Sequence, residues 1–261
     1  MMTMIKRFLL GVLAVACVSC AETTAVKLLN VDDFKAEIDG KEVSLYTLKS
    51  EDLTMQVTNF GARVVSLWVP DKDGHHEDVV LGYNNLENYV NNPGERFLGA
   101  VVGPYANRIA GGTYTIGEET YNFPQNNNGQ TLHGGLKGLD MVVWDVDSVT
   151  DDAIVLSYLC PDGQDGMPGN RKIVMTYTLT PQNEFKVDYV AQTDKATHMN
   201  ISHHSFFNLK GEGNGTINDH VLYINASKTT PVDAVLIPTG EIADVTGTPF
   251  DFREPKAIGR D

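Results

Sequence analysis

The segment HMNISHHSFFNLKG, residues 198–211, contains three histidines within seven positions. Imidazole has an ordinary pKa of about 6.5, so these side chains can give and take protons near neutral pH. A hydroxyl and an aromatic ring follow the third histidine, His204, directly at Ser205 and Phe206. Proton carriers beside polar and aromatic neighbours predict a site of acid–base chemistry.

Two other segments carry groups that suit a sugar ligand. His133 lies in the glycine-rich turn TLHGGLKG, residues 131–138, where backbone without side chains lets a ligand approach closely. Asn107 and Arg108 lie in GPYANRIAGG, residues 103–112. Arg and Asn donate hydrogen bonds to hydroxyls, His donates or accepts them, and aromatic rings cover the apolar face of a pyranose. The three segments together predict a carbohydrate site.

Two alternative enzyme classes are weaker. His198, His203 and His204 could be read as zinc ligands, but adjacent residues of a strand point to opposite faces, and no Cys or carboxylate stands at ligand spacing. His198 and His203 taken singly fit surface or packing positions at a strand end. A glycoside hydrolase needs a carboxylate pair, and nothing in the sequence singles one out.

Six sequence blocks lie between about residue 40 and the last residue: NFGA (59–62), GPYANRIA (103–110), LHGG (132–135), PDGQDGMPGN (161–170), HSFFNL (204–209) and the segment from PTG (238–240) to TPFDF (248–252). In these blocks and in their order the chain resembles the aldose 1-epimerase (galactose mutarotase) family. Ordered blocks over most of the chain are a more specific signal than a lone motif. The resemblance implies a large antiparallel two-sheet β-sandwich with the site in a cleft on a concave sheet face.

The resemblance also implies an activity, the interconversion of α and β anomers of free aldohexoses such as galactose or glucose. Opening the hemiacetal needs a base for the anomeric hydroxyl and an acid for the ring oxygen, and closure reverses both roles. This chemistry requires no metal, nucleotide or covalent nucleophile, so we expect no cofactor. By resemblance, His204 is the general acid and His133 its hydrogen-bonding companion. The implied substrate-binding set is Asn107, Arg108, His133, His204, Ser205 and Phe206.

The family's general base, a Glu, and a further substrate-binding Asp lie beyond the TPFDF block, and the sequence ends at Asp261. Asp251, Glu241 and Glu254 precede the expected positions, so we assign no catalytic base. The resemblance thus implies a C-terminally truncated mutarotase that lacks its closing strands. We expect the chain as written to be unstable or aggregation-prone and to show little activity. A carbohydrate-binding pseudoenzyme or an inactive fragment is the alternative.

Residues 1–20 read as a secretory signal, with Lys6 and Arg7 before a short apolar run. Cys20 follows small residues, as at a bacterial lipoprotein cleavage site, and cleavage after Ala21 without lipid is the other possibility. We therefore expect an exported protein, periplasmic or anchored to a membrane through lipid on Cys20, with residues 21–35 as a tether. The folded domain is predicted to span residues 36–261.

Charge and cysteine content restrict the partners and the fold. The formal net charge is −14, and removal of Lys6 and Arg7 with the signal leaves 18 basic against 34 acidic residues, or −16. This balance disfavours nucleic acid as a partner. Two of the three cysteines lie in the signal, so no disulfide framework is available and a core must supply the stability. The oligomeric state is open.

Short alternating runs dominate from residue 36 onward, for example at residues 42–48, 172–179, 185–191 and 220–225. Period-two alternation predicts strands with one buried face, and many short strands indicate an antiparallel sandwich or barrel. The DKDG sequence at residues 71–74 predicts a hairpin turn. Helical periodicity is nearly absent, apart from a short helical turn predicted at residues 86–91.

Overall fold

The computed structural model describes residues 25–261. The predicted signal, the lipidation site Cys20 and the first residues of the predicted tether lie outside these residues. Among the described residues, no helix has the length and apolar character needed to cross a membrane.

The regular secondary structure of the described chain is mainly short antiparallel strands. The first ten strands are β1 Ala36–Ile38, β2 Lys41–Val43, β3 Leu45–Lys49, β4 Thr54–Thr58, β5 Arg63–Pro70, β6 His76–Asp78, β7 Val101–Val102, β8 Arg108–Ile109, β9 Thr113–Ile116 and β10 Glu119–Asn122. The remaining strands are β11 Thr131–Leu132, β12 Asp145–Val149, β13 Ala153–Cys160, β14 Arg171–Leu179, β15 Phe185–Thr193, β16 Ser202–His203, β17 Val221–Leu222, β18 Lys228–Thr229, β19 Ala243–Asp244 and β20 Lys256–Ala257.

Helices contribute little to this fold. Helix α1 spans Leu86–Asn91. The 3₁₀ helices span Val31–Phe34, Ala110–Gly112, Leu139–Met141, Gln164–Gly166 and Ile258–Arg260.

Two four-stranded antiparallel sheets enclose the main core. One sheet has the strand order β3-β4-β5-β6 and the other the order β12-β13-β14-β15. Buried side chains of both sheets form one cluster, in which Met55 and Val64 come from the first sheet and Ile173 and Met175 from the second. Trp144, fully buried in the same cluster, lies at the entry to β12. The predicted all-β antiparallel sandwich is confirmed.

Local predictions are confirmed where turn chemistry or helical spacing is strong. The hairpin between β5 and β6 turns at residues 71–75, where Gly74 has a φ of 84°. Helix α1 covers the predicted helical turn, and the side chain of Asn85 caps it by accepting a hydrogen bond from the backbone N–H of Asn88.

Two predicted strands are shorter or broken in the structure. The strand predicted at residues 42–48 is divided at Ser44, because its N–H donates to the side chain of Asn59 instead of to a neighbouring strand (2.9 Å). Only Val221 and Leu222 of the strand predicted at residues 220–225 pair in a ladder. The N–H of Ile224 instead donates to the carbonyl of Phe252.

Part of the predicted tether packs against the first sheet. The N–H of Leu29 donates to the side chain of Gln56 at 2.8 Å, and the ring of Phe34 is fully buried. These contacts bury apolar surface that a solvated tether would leave exposed. The folded domain therefore begins before residue 36.

Candidate functional site

Pairing of β8 with β11 brings three of the predicted site residues together. Arg108 is the register partner of Leu132, which places Asn107 beside His133. The backbone N–H of His133 donates to the carbonyl of Asn107 (3.0 Å). The N–H of Asn107 donates in return to Nδ1 of the His133 ring (3.0 Å).

The backbone around His133 adopts conformations that few sequences tolerate. Asn107 and His133 have φ values of 62° and 53°, in the left-handed region that side chains disfavour. The next residue, Gly134, has a φ of 86°, and a Cβ there would lie 1.9 Å from the carbonyl oxygen of Gly103. The glycine-rich sequence is therefore required to carry the His133 ring at this position.

His204 lies beside His133, although it comes from a later part of the chain. Strand β16 pairs with β7, and the N–H of His204 donates to the carbonyl of Ala100 at 2.8 Å. The ring centroids of His133 and His204 are 5.1 Å apart, and the rings are almost perpendicular at 85°. Neither ring nitrogen of His204 has a hydrogen-bond partner among residues 25–261, so both are free to meet a ligand or solvent.

The two imidazoles differ in what they can do. Because Nδ1 of His133 accepts the N–H of Asn107, the neutral ring carries its hydrogen on Nε2 and can donate there. Burial, with the charges of His204, Arg108 and Arg96, lowers the pKa of His133 to about 4. His133 is thus a neutral donor near neutral pH, whereas neither ring nitrogen of His204 is hydrogen-bonded to a group of residues 25–261.

Aromatic rings surround the histidine pair on two sides. The ring of Phe206 lies 5.1 Å from that of His204. The ring of Phe97 lies 4.6 Å from His133 and 5.7 Å from His204, so it contacts both. Sequence reasoning missed Phe97, because it lies in no block of the resemblance and a lone aromatic residue has no distinguishing spacing.

The guanidinium of Arg108 lies next to the two histidines, and its side-chain partners within the described residues are two amides. Its Nε donates to the side-chain oxygen of Asn127 at 3.1 Å, and its Nη1 donates to that of Asn107 at 3.2 Å. In the described part of the chain, no carboxylate pairs with Arg108 or hydrogen-bonds to His133 or His204. A guanidinium without an anionic partner is suited to donate to ligand oxygens.

The side chain of Ser205 faces away from His204 and toward His203. The Ser205 hydroxyl lies 2.6 Å from Nε2 of His203, and Nδ1 of His203 lies 3.0 Å from the hydroxyl of Tyr177. The Tyr177 hydroxyl donates to the carbonyl of Ala62, so Nδ1 of His203 is the donor and its Nε2 the acceptor. Burial and the charge of His204 lower the pKa of His203 to about 4.

The three histidines of the segment at residues 198–211 do not converge on one point. His198 packs edge-on against Tyr114 at 4.8 Å, whereas the ring of His203 contacts Tyr177 and the ring of His204 contacts His133. The one group of three metal-type ligands within the described residues is Asp71, Asp73 and His75. That group lies in the hairpin between β5 and β6.

The structure thus brings Asn107, Arg108, His133 and His204 into one cluster. The model of the aldose 1-epimerase family matches residues 44–261, most of the chain. The chain belongs to the aldose 1-epimerase family. Galactose mutarotase from Bos taurus is 43% identical over 218 residues, which are 84% of this chain and 63% of the relative. Aldose 1-epimerase from Escherichia coli is 35% identical over 221 residues, 84% of this chain and 63% of the relative.

Solved structures of aldose epimerases have the same fold. An aldose epimerase homologue from C. elegans superimposes with a TM-score of 0.78 at 31% identity, covering 83% of this chain and 66% of that chain. Galactose 1-epimerase from Lactobacillus acidophilus gives a TM-score of 0.75 at 34% identity, covering 86% and 66%. The chain spans 63% to 64% of the length of the galactose mutarotases from Bos taurus, Pongo abelii and Sus scrofa.

Proposed function

We propose that the chain carries an aldose 1-epimerase site, which binds a free aldohexose and exchanges its α and β anomers. The observation that carries this proposal is the pair of adjacent imidazoles, His133 and His204, whose ring centroids lie 5.1 Å apart. One ring is fixed as a neutral donor, and the other has both nitrogens free of protein partners within the described residues. Anomer exchange needs one group that stabilises an oxygen and one that transfers a proton.

The two histidines have different roles: one transfers a proton and the other donates a hydrogen bond. His204, when protonated, donates its proton to that oxygen as the bond to the anomeric carbon breaks, and it takes the proton back on closure. Nε2–H of His133 donates a hydrogen bond to a sugar oxygen throughout, and the neutral state of the ring follows from its low pKa. Arg108 and the side chain of Asn107 hold hydroxyls and fix the sugar in the site.

The base that removes the anomeric hydroxyl proton is not among the groups that contact these histidines in residues 25–261. Each positioned proton carrier contributes about 10²–10⁴-fold to such a reaction. We therefore expect slow conversion by this chain in a buffer that contains no good base. A small carboxylate such as acetate, supplied in solution, can act as the missing base.

Carbohydrate binding without conversion is the second candidate. The observation that favours it is that, in the described part of the chain, no carboxylate hydrogen-bonds to His133 or His204. The hydroxyl-binding groups Asn107 and Arg108 would serve a binding protein equally well. The two candidates differ in whether anomer exchange depends on His204.

Polarimetry on freshly dissolved α-galactose and α-glucose distinguishes them. With the wild-type chain, we expect the optical rotation to relax faster than in buffer, and faster still as acetate is added. His204→Gln should lose the protein-dependent acceleration. His198→Gln is the matched control, because His198 packs on Tyr114, and it should behave as wild type. Equal relaxation rates for wild type and His204→Gln at every acetate concentration would contradict catalysis by this site.

We also propose that the protein is exported and anchored through lipid on Cys20. The support is the sequence alone, a charged start, a short apolar run and a Ser-Cys-Ala site. Cys20→Ala should move the protein from the membrane fraction to the soluble fraction. If wild type and Cys20→Ala are both soluble, the lipid anchor is wrong.

A further inference from the structure

A buried charged cluster lies next to Phe97, on the side of its ring that faces away from the two histidines. Arg63 and Asp140 are both fully buried, and Arg96 is 23% exposed. The carboxylate of Asp140 accepts two hydrogen bonds from Arg96, at 2.6 Å from Nε and 3.0 Å from Nη2. This two-point arrangement fixes the Arg96 guanidinium in position and orientation.

The second arginine of the cluster holds the backbone on both sides of Phe97. Nη1 of Arg63 donates to the carbonyls of Arg96 and Leu98, each at 2.9 Å. Its Nη2 donates to the carbonyl of Asp140, also at 2.9 Å. Arg63 therefore links the segment that carries Phe97 to the backbone at Asp140. Asp140 is the last residue of the loop at residues 133–140, the His133 loop.

Two glycines allow these segments to approach so closely. A Cβ at Gly61 would lie 2.4 Å from the carbonyl oxygen of Asp140 and 3.0 Å from Nε of Arg63. A Cβ at Gly138 would lie 2.4 Å from the carbonyl oxygen of His133 and 2.8 Å from the Asp140 carboxylate. The cluster is thus a close-packed junction between the His133 loop and the Phe97 segment.

The ring of Phe97 lies between this cluster and the two histidines. On one side, the guanidinium of Arg96 is 5.1 Å from the ring centroid, within the range of a cation–π contact. On the other side, the ring contacts His133 at 4.6 Å and His204 at 5.7 Å. No other aromatic side chain in the described residues contacts both imidazoles.

We propose that Phe97, held by the Arg63–Asp140–Arg96 cluster, is a positioning residue that sets the spacing of His133 and His204 and excludes water from the edge of His133. Arg96 acts through Phe97 and also places a positive charge near His133. The proposal concerns the histidine pair itself, and only its consequence for catalysis rests on the proposed function.

Removal of the Phe97 ring should change the proton affinity of His133 without unfolding the protein. The charged or titratable groups that face His133 are His204, Arg108 and Arg96, and burial is the largest cause of its low pKa. Phe97→Leu admits water, and Arg96→Gln removes a positive charge, so both raise the titration midpoint of His133. We expect a rise of about half a unit or more for each variant.

The measurement is the pH titration of the histidine Cε1–Hε1 signals by NMR, with His133 assigned through the loss of its signal in His133→Gln. Phe185→Leu is the matched control, because the ring of Phe185 lies 5.3 Å from His203. That variant should alter the His203 signal and leave the His133 midpoint at its wild-type value. A purely structural role of Phe97 would lower thermal stability and leave the midpoint unchanged.

Unchanged His133 midpoints in both folded variants, Phe97→Leu and Arg96→Gln, would overturn the proposal. If the wild-type chain converts hexoses, Phe97→Leu should also lower kcat by about tenfold with little change in KM, because positioning acts on the reacting groups. If the wild-type chain converts no hexose, the proposed function fails, while the NMR titration still decides the role of Phe97.

Discussion

At the scale of single residues, hydrogen bonds and ring contacts hold Asn107, Arg108, His133 and His204 beside one another. Their proximity could be predicted, because their types suit a sugar and they lie in distinctive polar or glycine-rich segments. The position of Phe97 beside them could not be predicted, since it depends on contacts with His133, which lies 36 positions later in the chain, and with His204, which lies 107 positions later. The direction of the Ser205 hydroxyl was equally hidden, because it depends on its hydrogen bond to His203.

Buried neutral histidines make stability depend on pH. The pKa of His203 is about 4 in the folded protein, below the ordinary value of 6.5. Between these values the unfolded chain binds more protons, so the stability from His203 is present above pH 6.5 and is lost as pH falls toward 4. This difference corresponds to up to about 3 kcal/mol.

His203→Asn should therefore reduce the loss of unfolding free energy between pH 6.5 and pH 4, whatever its effect at pH 8. Asp78, whose pKa is raised by burial to about 6, favours the folded state as pH falls in the same range. It is present in both proteins and cancels in the comparison. Urea unfolding at several pH values measures the two slopes, and equal slopes would show that His203 is not held neutral by the fold.

At the scale of structural elements, short connections determine where the site forms. Helix α1 and the β5–β6 hairpin could be predicted, because an N-cap and a turn glycine act over a few residues. The division of the strand at Ser44 and the short β17 could not. Both result from hydrogen bonds to residues elsewhere in the chain. The N–H of Ser44 donates to the side chain of Asn59, and the N–H of Ile224, just after β17, donates to the carbonyl of Phe252.

The glycine after His133 tests how strictly the loop is constrained. Gly134→Ala places a Cβ 1.9 Å from the Gly103 carbonyl at a φ of 86°, so we expect a loss of about 3 kcal/mol or more. Gly129→Ala is the control, since its φ of 77° is similar but no atom lies within 4 Å of the new Cβ. The control should lose only about 1–2 kcal/mol. Similar urea midpoints for the two variants would contradict the close approach at Gly134.

At the scale of the whole molecule, the second sheet of the sandwich ends in two different edges. Strand β15 has nine residues and no partner on its outer side among the described strands, and Val190 is 59% exposed. At the other edge, β12 has five residues and an irregular register, with Val149 44% exposed. Long regular edges favour pairing with other chains, whereas short and irregular edges resist it.

We expect the purified chain to associate as its concentration rises, mainly through β15. Val190→Lys should weaken association about tenfold, because a charged edge residue disfavours strand pairing. Val149→Lys, on the other edge of the same sheet, should have little effect. Light scattering over a concentration series provides the comparison, and equal effects of the two substitutions would mean that β15 is not the associating edge.

The most direct test of the proposed site is NMR saturation transfer between the α and β anomeric protons of galactose at equilibrium, with acetate present. The same spectra report binding, through broadening of the sugar signals. We predict protein-dependent transfer for wild type and for His198→Gln, and broadening without transfer for His204→Gln. Transfer of equal size in wild type and His204→Gln would contradict proton donation by His204. Broadening without transfer in all three proteins would leave a carbohydrate-binding protein instead of an epimerase.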